Sequence, residues 1–374
     1  MAVENNEKAK VHYEVVGSFL RPAELKAAKA DYNLGKISKS ELRAIEEKHI
    51  AEIIDKQKKA GLKFITDGEY SRTYWHLDFM WGFGGIGHKQ TGRGVQFNGE
   101  LAKLEDTFLT GKIFAQPHPF IEHFKYTKKF EDSEHIAKLT VPAPAQLFQQ
   151  LIVPQNYLAT RRIYPDFDQL IEDIAAAYRD FIKQFYEAGG RYLQLDDCTW
   201  GAIVGDAAEQ RYKSLNLSLD NVKNQLLAVN NKSVEGKPAD LQINTHICRG
   251  NYHSTYFTSG PYDSVADYVF AKQNVDTLYL EYDDERSGGF SPLAKVSPDK
   301  KVVLGLITTK TAKLEDKDTV IKRIQEAARY IPLDRLSLSP QCGFASCEVG
   351  NKLTEEEQWA KVALVKEIAE EVWG

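Results

Sequence analysis

The stretch His246-Ile-Cys248, closing the apolar run 240–246, sets an imidazole and a thiol two residues apart. Side chains two apart on an extended segment project to the same side. An imidazole and a thiolate sharing a face are half of a zinc site. Alone, the pair fits a hydrogen-bonded histidine beside a cysteine packed as a small hydrophobe equally well. Two further donors change the balance: Glu281 ends the run "TLYLE", and Cys342 follows "RLSLSP". Two thiolates, an imidazole and a carboxylate are a sufficient tetrahedral set for zinc. Helix caps and core cysteines explain any one of these positions. They do not explain metal-competent side chains at three strand ends on the same side.

Such convergence needs a scaffold that brings strand ends to one rim. Short apolar runs read as strands at 13–18, 63–67, 136–142, 192–196, 240–246, 277–281, 301–307 and 335–340. Helical patterns separate them. One starts at Pro22, one is capped by Ser38 or Ser40 and ends at Gly61, one covers 166–190, and "EEEQWAKVALVKEIAEEVWG" closes the chain. Eight βα units predict an α/β fold of the (β/α)8 TIM-barrel type, one domain over residues 1–374, with an open doubly wound sheet as the alternative. The departure is the aromatic and glycine-rich segment 70–135, read as an excursion over one barrel end. It contains Gly82-Phe-Gly84-Gly-Ile-Gly87, a formal dinucleotide fingerprint. Neither the strand nor the helix that this fingerprint requires flanks it, so it is rejected.

Bulk properties narrow the class. The 374 residues are 43% hydrophobic and 27% charged, with a net charge of −5 and no basic block, which argues against a nucleic-acid partner. No apolar run is long enough for a membrane span, and the polar N-terminus does not read as an export signal. A cytoplasmic location is expected, where four cysteines serve metal binding or catalysis better than disulfides.

The chain resembles the catalytic half of cobalamin-independent methionine synthase, a zinc methyltransferase with a (β/α)8 barrel. The resemblance runs through "VVGSFLRP", "DGEYSR", "LTVPAPAQ", "YLQLDD", "NTHICRGN", "LYLEYDDERSG" and "LSLSPQCGF". It implies zinc on His246, Cys248, Glu281 and Cys342, and a homocysteine pocket made by Gly17, Ser18, Glu69 and Asp196. The family's strand-seven histidine, implicated in proton handling, is replaced here by "TTKT", and Lys310 is the residue placed to take over that charge. No counterpart of the N-terminal half that helps hold polyglutamyl folate is expected in this chain.

Zinc deprotonates a bound thiol, and a site rich in thiolate ligands keeps a substrate thiolate electron-rich, which suits attack on a methyl group. Glu69 and Asp196 would neutralise the substrate ammonium, with backbone amides near Ser18 on its carboxylate. Methyltetrahydrofolate is one candidate donor, and Tyr74, Trp75, Phe79, Trp81 and Phe83 offer it flat stacking surface. With no basic cluster at the rim, a polyglutamate tail should add little. Two alternatives stand beside this reading: alkyl transfer to another small thiol, and a metal-free lyase of the uroporphyrinogen decarboxylase kind. Cys198 is read as a packing residue, Cys347 as a fallback ligand, and His76, His88, His118 and His123 as polar residues of the excursion.

Overall fold

The computed structural model describes residues 11–90, 92, 94–214 and 218–374; the polar residues 1–10 lie outside them. Its strands in chain order are β1 (Phe64–Ile65), β2 (Gly84–Lys89), β3 (Gly94–Gln96), β4 (Leu101–Lys103), β5 (Asp106–Phe114), β6 (Ile136–Pro142), β7 (Tyr192–Asp197), β8 (Gln242–Ile247), β9 (Thr277–Glu281), β10 (Lys301–Ile307) and β11 (Leu336–Pro340). Seven form one curled sheet, in the order β1-β6-β7-β8-β9-β10-β11, and every pairing is parallel. A parallel sheet covered on both faces needs apolar side chains on both, and β7 and β9 are buried at every position.

The helices follow their sequence signals. Ser38 caps Lys39–Lys59 in a reciprocal capping box with Glu41. Asp166 caps Phe167–Glu187, whose Leu170, Ile174, Tyr178, Phe181 and Phe185 form one buried stripe. No helix among the described residues is long and apolar enough to cross a membrane.

Two expectations need correction. Residues 13–18 do not form a strand of the sheet; Tyr13 makes a single parallel bridge to Leu338. The reason is competition for the backbone. The carbonyl of Val15 accepts from Lys138 Nζ (2.5 Å), that of Val16 from Gln194 Nε2 (2.9 Å) and that of Gly17 from Thr66 Oγ1 (2.6 Å). Backbone pairing with β11 is confined to the Glu14 amide on the Leu338 carbonyl (3.0 Å) and the Leu338 amide on the His12 carbonyl (2.8 Å), and beyond it side chains hold the carbonyls, so the described sheet has seven strands and not the eight of a closed barrel. The excursion is also shorter than 70–135. Its end, Pro119–Lys128, is a helix burying Phe120, Ile121 and Phe124 and leading into β6. The excursion proper is two antiparallel pairs, β2 with β5 and β3 with β4. Its glycine run forms β2, paired antiparallel with β5, and not the strand-to-helix turn of a dinucleotide fingerprint.

Candidate active site

Metal-competent side chains meet at the C-terminal ends of β8 and β11. One ligand atom each from buried His246, Cys248 and Cys342 lies within 4.8 Å of the other two. The thiols are 3.8 Å apart. Neither ring nitrogen of His246 has a hydrogen-bond partner, though the ring faces the Cys342 thiol. A buried imidazole with both nitrogens orphaned is costly unless something binds there. Hydrogen bonding from Cys198, with burial, pushes the Cys248 thiol well above its ordinary pKa; contact with Cys248 and burial do the same to Cys342. A divalent cation among them would reverse both shifts by deprotonating the thiols. The residues fit zinc.

The carboxyl end of the site is one strand away. Neighbouring β7 and β8 pair Asp196 with His246. Asp196 accepts from Gln194 Nε2 at 2.7 Å, and Thr140 Oγ1 donates to Glu69 Oε1 at 3.0 Å. The other Glu69 oxygen has no hydrogen bond, and Arg72 stands 3.9 Å from it. Burial raises both carboxyls to about 7, and the Asp196 charge adds to the rise at Glu69. Glu69 is also held at φ 63°, a left-handed backbone unusual for a non-glycine residue. Two acids kept reluctant to ionise side by side are a receptor for a cation.

Both ends open into one cavity of about 250 Å³, whose wall includes Ser18, Glu69, Asp196, His246, Cys248 and Cys342. Ser18 is strapped to the loop after Cys342. Its Oγ accepts from the Ala345 amide (3.2 Å), its carbonyl accepts from the Phe344 amide (2.9 Å), and a Cβ on Gly343 would fall 1.9 Å from its Oγ. Those two amides therefore serve Ser18 itself. Gly17 lies behind the wall, bonded to Thr66.

Besides Gly17, two expected residues are not brought to the cavity. Glu281 is fully buried beside Cys248; its Oε2 accepts from the Arg249 amide (2.8 Å), and its Oε1 faces Arg286 (3.4 Å) and Lys310 (3.6 Å). Lys310 sits between Glu281 and Asp283. Burial works against its charge, but those two carboxylates outweigh burial and hold its pKa above the ordinary value.

Other residues line the cavity without having been foreseen. The β3–β4 pair roofs it with Val95, Phe97 and Ala102. Phe97 packs at a tilt against Tyr252 and Phe257, and the Asn98 amide donates to the Tyr256 carbonyl. Glu100 at the turn meets His253 (3.1 Å) and Lys352 (2.7 Å). Of the aromatic residues expected to stack, Trp75 reaches the cavity, whereas Phe79 and Phe83 are core residues packed on Tyr178. His76 also lines it; burial lowers its pKa to about 3, so it is neutral. Cys347 is on the wall but outside the three-donor cluster, and burial raises it to about 12. Cys198 is on the wall as well, outside the three-donor cluster. Its signal was in the sequence: Asp196-x-Cys198 repeats the spacing of His246-x-Cys248 one strand earlier.

Comparison with known proteins places this arrangement. Residues 13–96 and 160–371 match the family model described as the catalytic domain of cobalamin-independent synthase. The chain belongs to the cobalamin-independent methionine synthase family. Among its relatives, the uncharacterized protein YxjH of Bacillus subtilis is 41% identical over 371 residues, 99% of this chain and 97% of that one. A methionine synthase of Saccharolobus solfataricus is 23% identical over 337 residues, covering 88% of this chain and 87% of the other. A Listeria monocytogenes structure assigned as a vitamin-B12 independent methionine synthase superposes with TM-score 0.76 at 35% identity, over 97% of this chain and 98% of that one. Membership makes this a chain of a methyltransferase family. It also leaves the lyase alternative, which required a rim without a thiol cluster, with no support.

Proposed function

We propose that the protein transfers a methyl group to the thiol of homocysteine, forming methionine, with zinc bound by His246, Cys248 and Cys342. One observation carries the reading: the Asp196–His246 register sets an ammonium receptor beside a cluster of metal donors within a single cavity. An amino-acid thiol can then place its ammonium on Glu69 and Asp196 and its sulfur near Cys248 and Cys342. The bound metal would supply a thiolate at neutral pH. The chain's own groups do the rest. Glu69 and Asp196 release their protons to solvent as the ammonium arrives, orienting the substrate by charge-assisted hydrogen bonds. The roof of Val95, Phe97 and Ala102 excludes water from the nucleophile. The substrate sulfur forms a bond to the methyl carbon, and the donor's heteroatom leaves with the bonding electron pair. We further propose that residues 13–18, though not a strand of the sheet, fill the place of a barrel's eighth strand between β1 and β11. The free cysteines suit a reducing, cytoplasmic setting.

Zinc analysis of the purified protein and a thiol-acceptor panel test the reading together. About one zinc per chain and methylation of homocysteine in preference to simple alkyl or sulfonate thiols are expected. A preference for a thiol lacking the amino group would overturn the acceptor assignment.

A further inference from the structure

The two acids of the cavity are spaced from the metal donors by different means. Asp196 and His246 are partners in the β7–β8 register, so the sheet itself fixes their distance. Glu69 and Cys342 have no such ladder between them. They follow β1 and β11, which are the opposite edges of the described sheet. Something other than strand pairing must set the span between that carboxylate and that thiol.

Arg21 stands at the join. Its side chain is buried, and its two terminal nitrogens serve different loops. Nη2 donates to the carbonyls of Glu69 (2.9 Å) and Arg72 (3.2 Å), in the loop after β1. Nη1 donates to the carbonyls of Ala345 (2.8 Å) and Cys347 (3.2 Å), in the loop after β11. Bracketing four carbonyls takes a planar fork of donors, which arginine has and lysine lacks. Beyond the bracket the same loops are laced by backbone. The Trp75 amide donates to the Ser346 carbonyl and the Glu348 amide to the Thr73 carbonyl, both at 3.0 Å. Between those bonds lies an antiparallel bridge from Tyr74 to Cys347.

Glu69 shows what the bracket holds. Its φ of 63° persists only where the surroundings over-determine it. Arg21 takes its carbonyl, and Asp67 Oδ1 accepts from its amide at 2.9 Å. Its Oε2 is left buried without a hydrogen bond, on a residue of the cavity wall. An amino-acid thiol must reach from that carboxylate to the thiols, and homocysteine and cysteine differ in reach by one methylene.

We propose that Arg21 is a positioning residue: with the lacing of 73–75 to 346–348, it fixes the span from Glu69 to Cys342 and so selects the chain length of the amino-acid thiol. The inference rests on the homocysteine reading above, and the test separates the two. Calorimetry on the zinc-loaded full chain gives dissociation constants for homocysteine and for cysteine. Wild type should prefer homocysteine by about tenfold or more, the lower end of what one methylene is worth in a fitted site. Arg21→Lys should keep its zinc, weaken homocysteine and lose most of that preference. A preference unchanged in the variant, or absent from wild type, would overturn the proposal and leave homocysteine as acceptor. Loss of zinc from Arg21→Lys would overturn it too, because the guanidinium would then serve the metal loop alone. A wild type that takes up no zinc, or binds homocysteine no better than a thiol acid lacking the amino group, overturns both. Should Arg21→Lys fail to fold, Glu348→Pro, which removes the amide on Thr73, carries the same expectation, and an unchanged preference there is equally fatal.

Discussion

Replacing Asp196 with asparagine should stabilise the ligand-free protein above neutral pH and at the same time impair homocysteine binding. Burial raises Asp196 from 3.8, and Glu69 from 4.5, to about 7. Between pH 4 and 7 the folded protein therefore retains protons that the unfolded chain has released. Stability contributed by this pair falls as pH rises through that window and levels off above it. The span from 3.8 to about 7 for Asp196, at about 1.36 kcal/mol per pH unit, sets a ceiling of roughly 4 kcal/mol lost by pH 8. Asparagine removes that loss and relieves Glu69 of the neighbouring charge. Buried His76, His118 and His123, lowered to about 3, 4 and 4, act with the opposite sign, because the unfolded chain binds their protons below pH 6.5. The quantity to read is accordingly the difference between the two proteins, in which the histidines cancel. Urea unfolding at fixed zinc should show that difference growing from near zero at pH 4.5 to a few kcal/mol at pH 8. Homocysteine affinity should drop by a few kcal/mol, as when a buried pair loses one partner. A thiol acid without the amino group should bind both proteins alike. A stability difference independent of pH would refute the reasoning.

Other outcomes test the site from different sides. Cys342→Ser should lose most of the zinc while Cys347→Ser keeps it; equal zinc contents would undo the choice of ligand between them. Gly201→Ala, whose added Cβ would fall 2.0 Å from the Cys248 carbonyl oxygen, should displace the loop after β8 and weaken zinc binding while leaving the circular dichroism spectrum native; unchanged affinity would refute that coupling. The described cavity wall offers one cation, Arg249, whose guanidinium is committed to the Gly260 and Glu281 carbonyls. Triglutamyl methyltetrahydrofolate should therefore react little faster than the monoglutamate. A gain of about a hundredfold, worth roughly 2.7 kcal/mol, would contradict this.

The sheet and its rim were legible because their signals are local. Runs such as 277–281 and 301–307 are apolar on both faces, and the structure makes them β9 and β10 with the same bounds. His246, Cys248 and Cys342 could be picked out because strand ends in a parallel sheet collect on one side. Residues 13–18 fall short of a strand because apolar alternation reports burial, and past the one bridge at Tyr13 burial there is supplied without a ladder: Lys138 and Gln194 reach across the interior for the Val15 and Val16 carbonyls. Nothing local to 13–18 announces that. The approach of Lys310 to Glu281 was hidden for a similar reason, since Lys310 arrives from the loop after the next strand. Phe97 and Val95 were missed because the chosen aromatic residues lay earlier in the excursion, where most serve the core. Cys198 was visible in its spacing, but a single thiol after two acids gives no sign of which strand lies beside it.

The roof is fastened by a different kind of bond from the floor. Beneath the cavity, Glu14, Lys138, Tyr192 and Tyr279 are joined in a dry network. The β3–β4 turn, in contrast, is tied down by Glu100 to His253 and Lys352, all in contact with solvent. Dissolved ions screen contacts of that type and leave dry ones nearly untouched. Ionic strength therefore weakens these two ties selectively, leaving the cover to the Asn98–Tyr256 backbone bond and the packing of Phe97 while the chamber beneath keeps its shape. Because those two anchors belong to the loops that follow Cys248 and Cys342, the door is hung on the same frame that carries the metal.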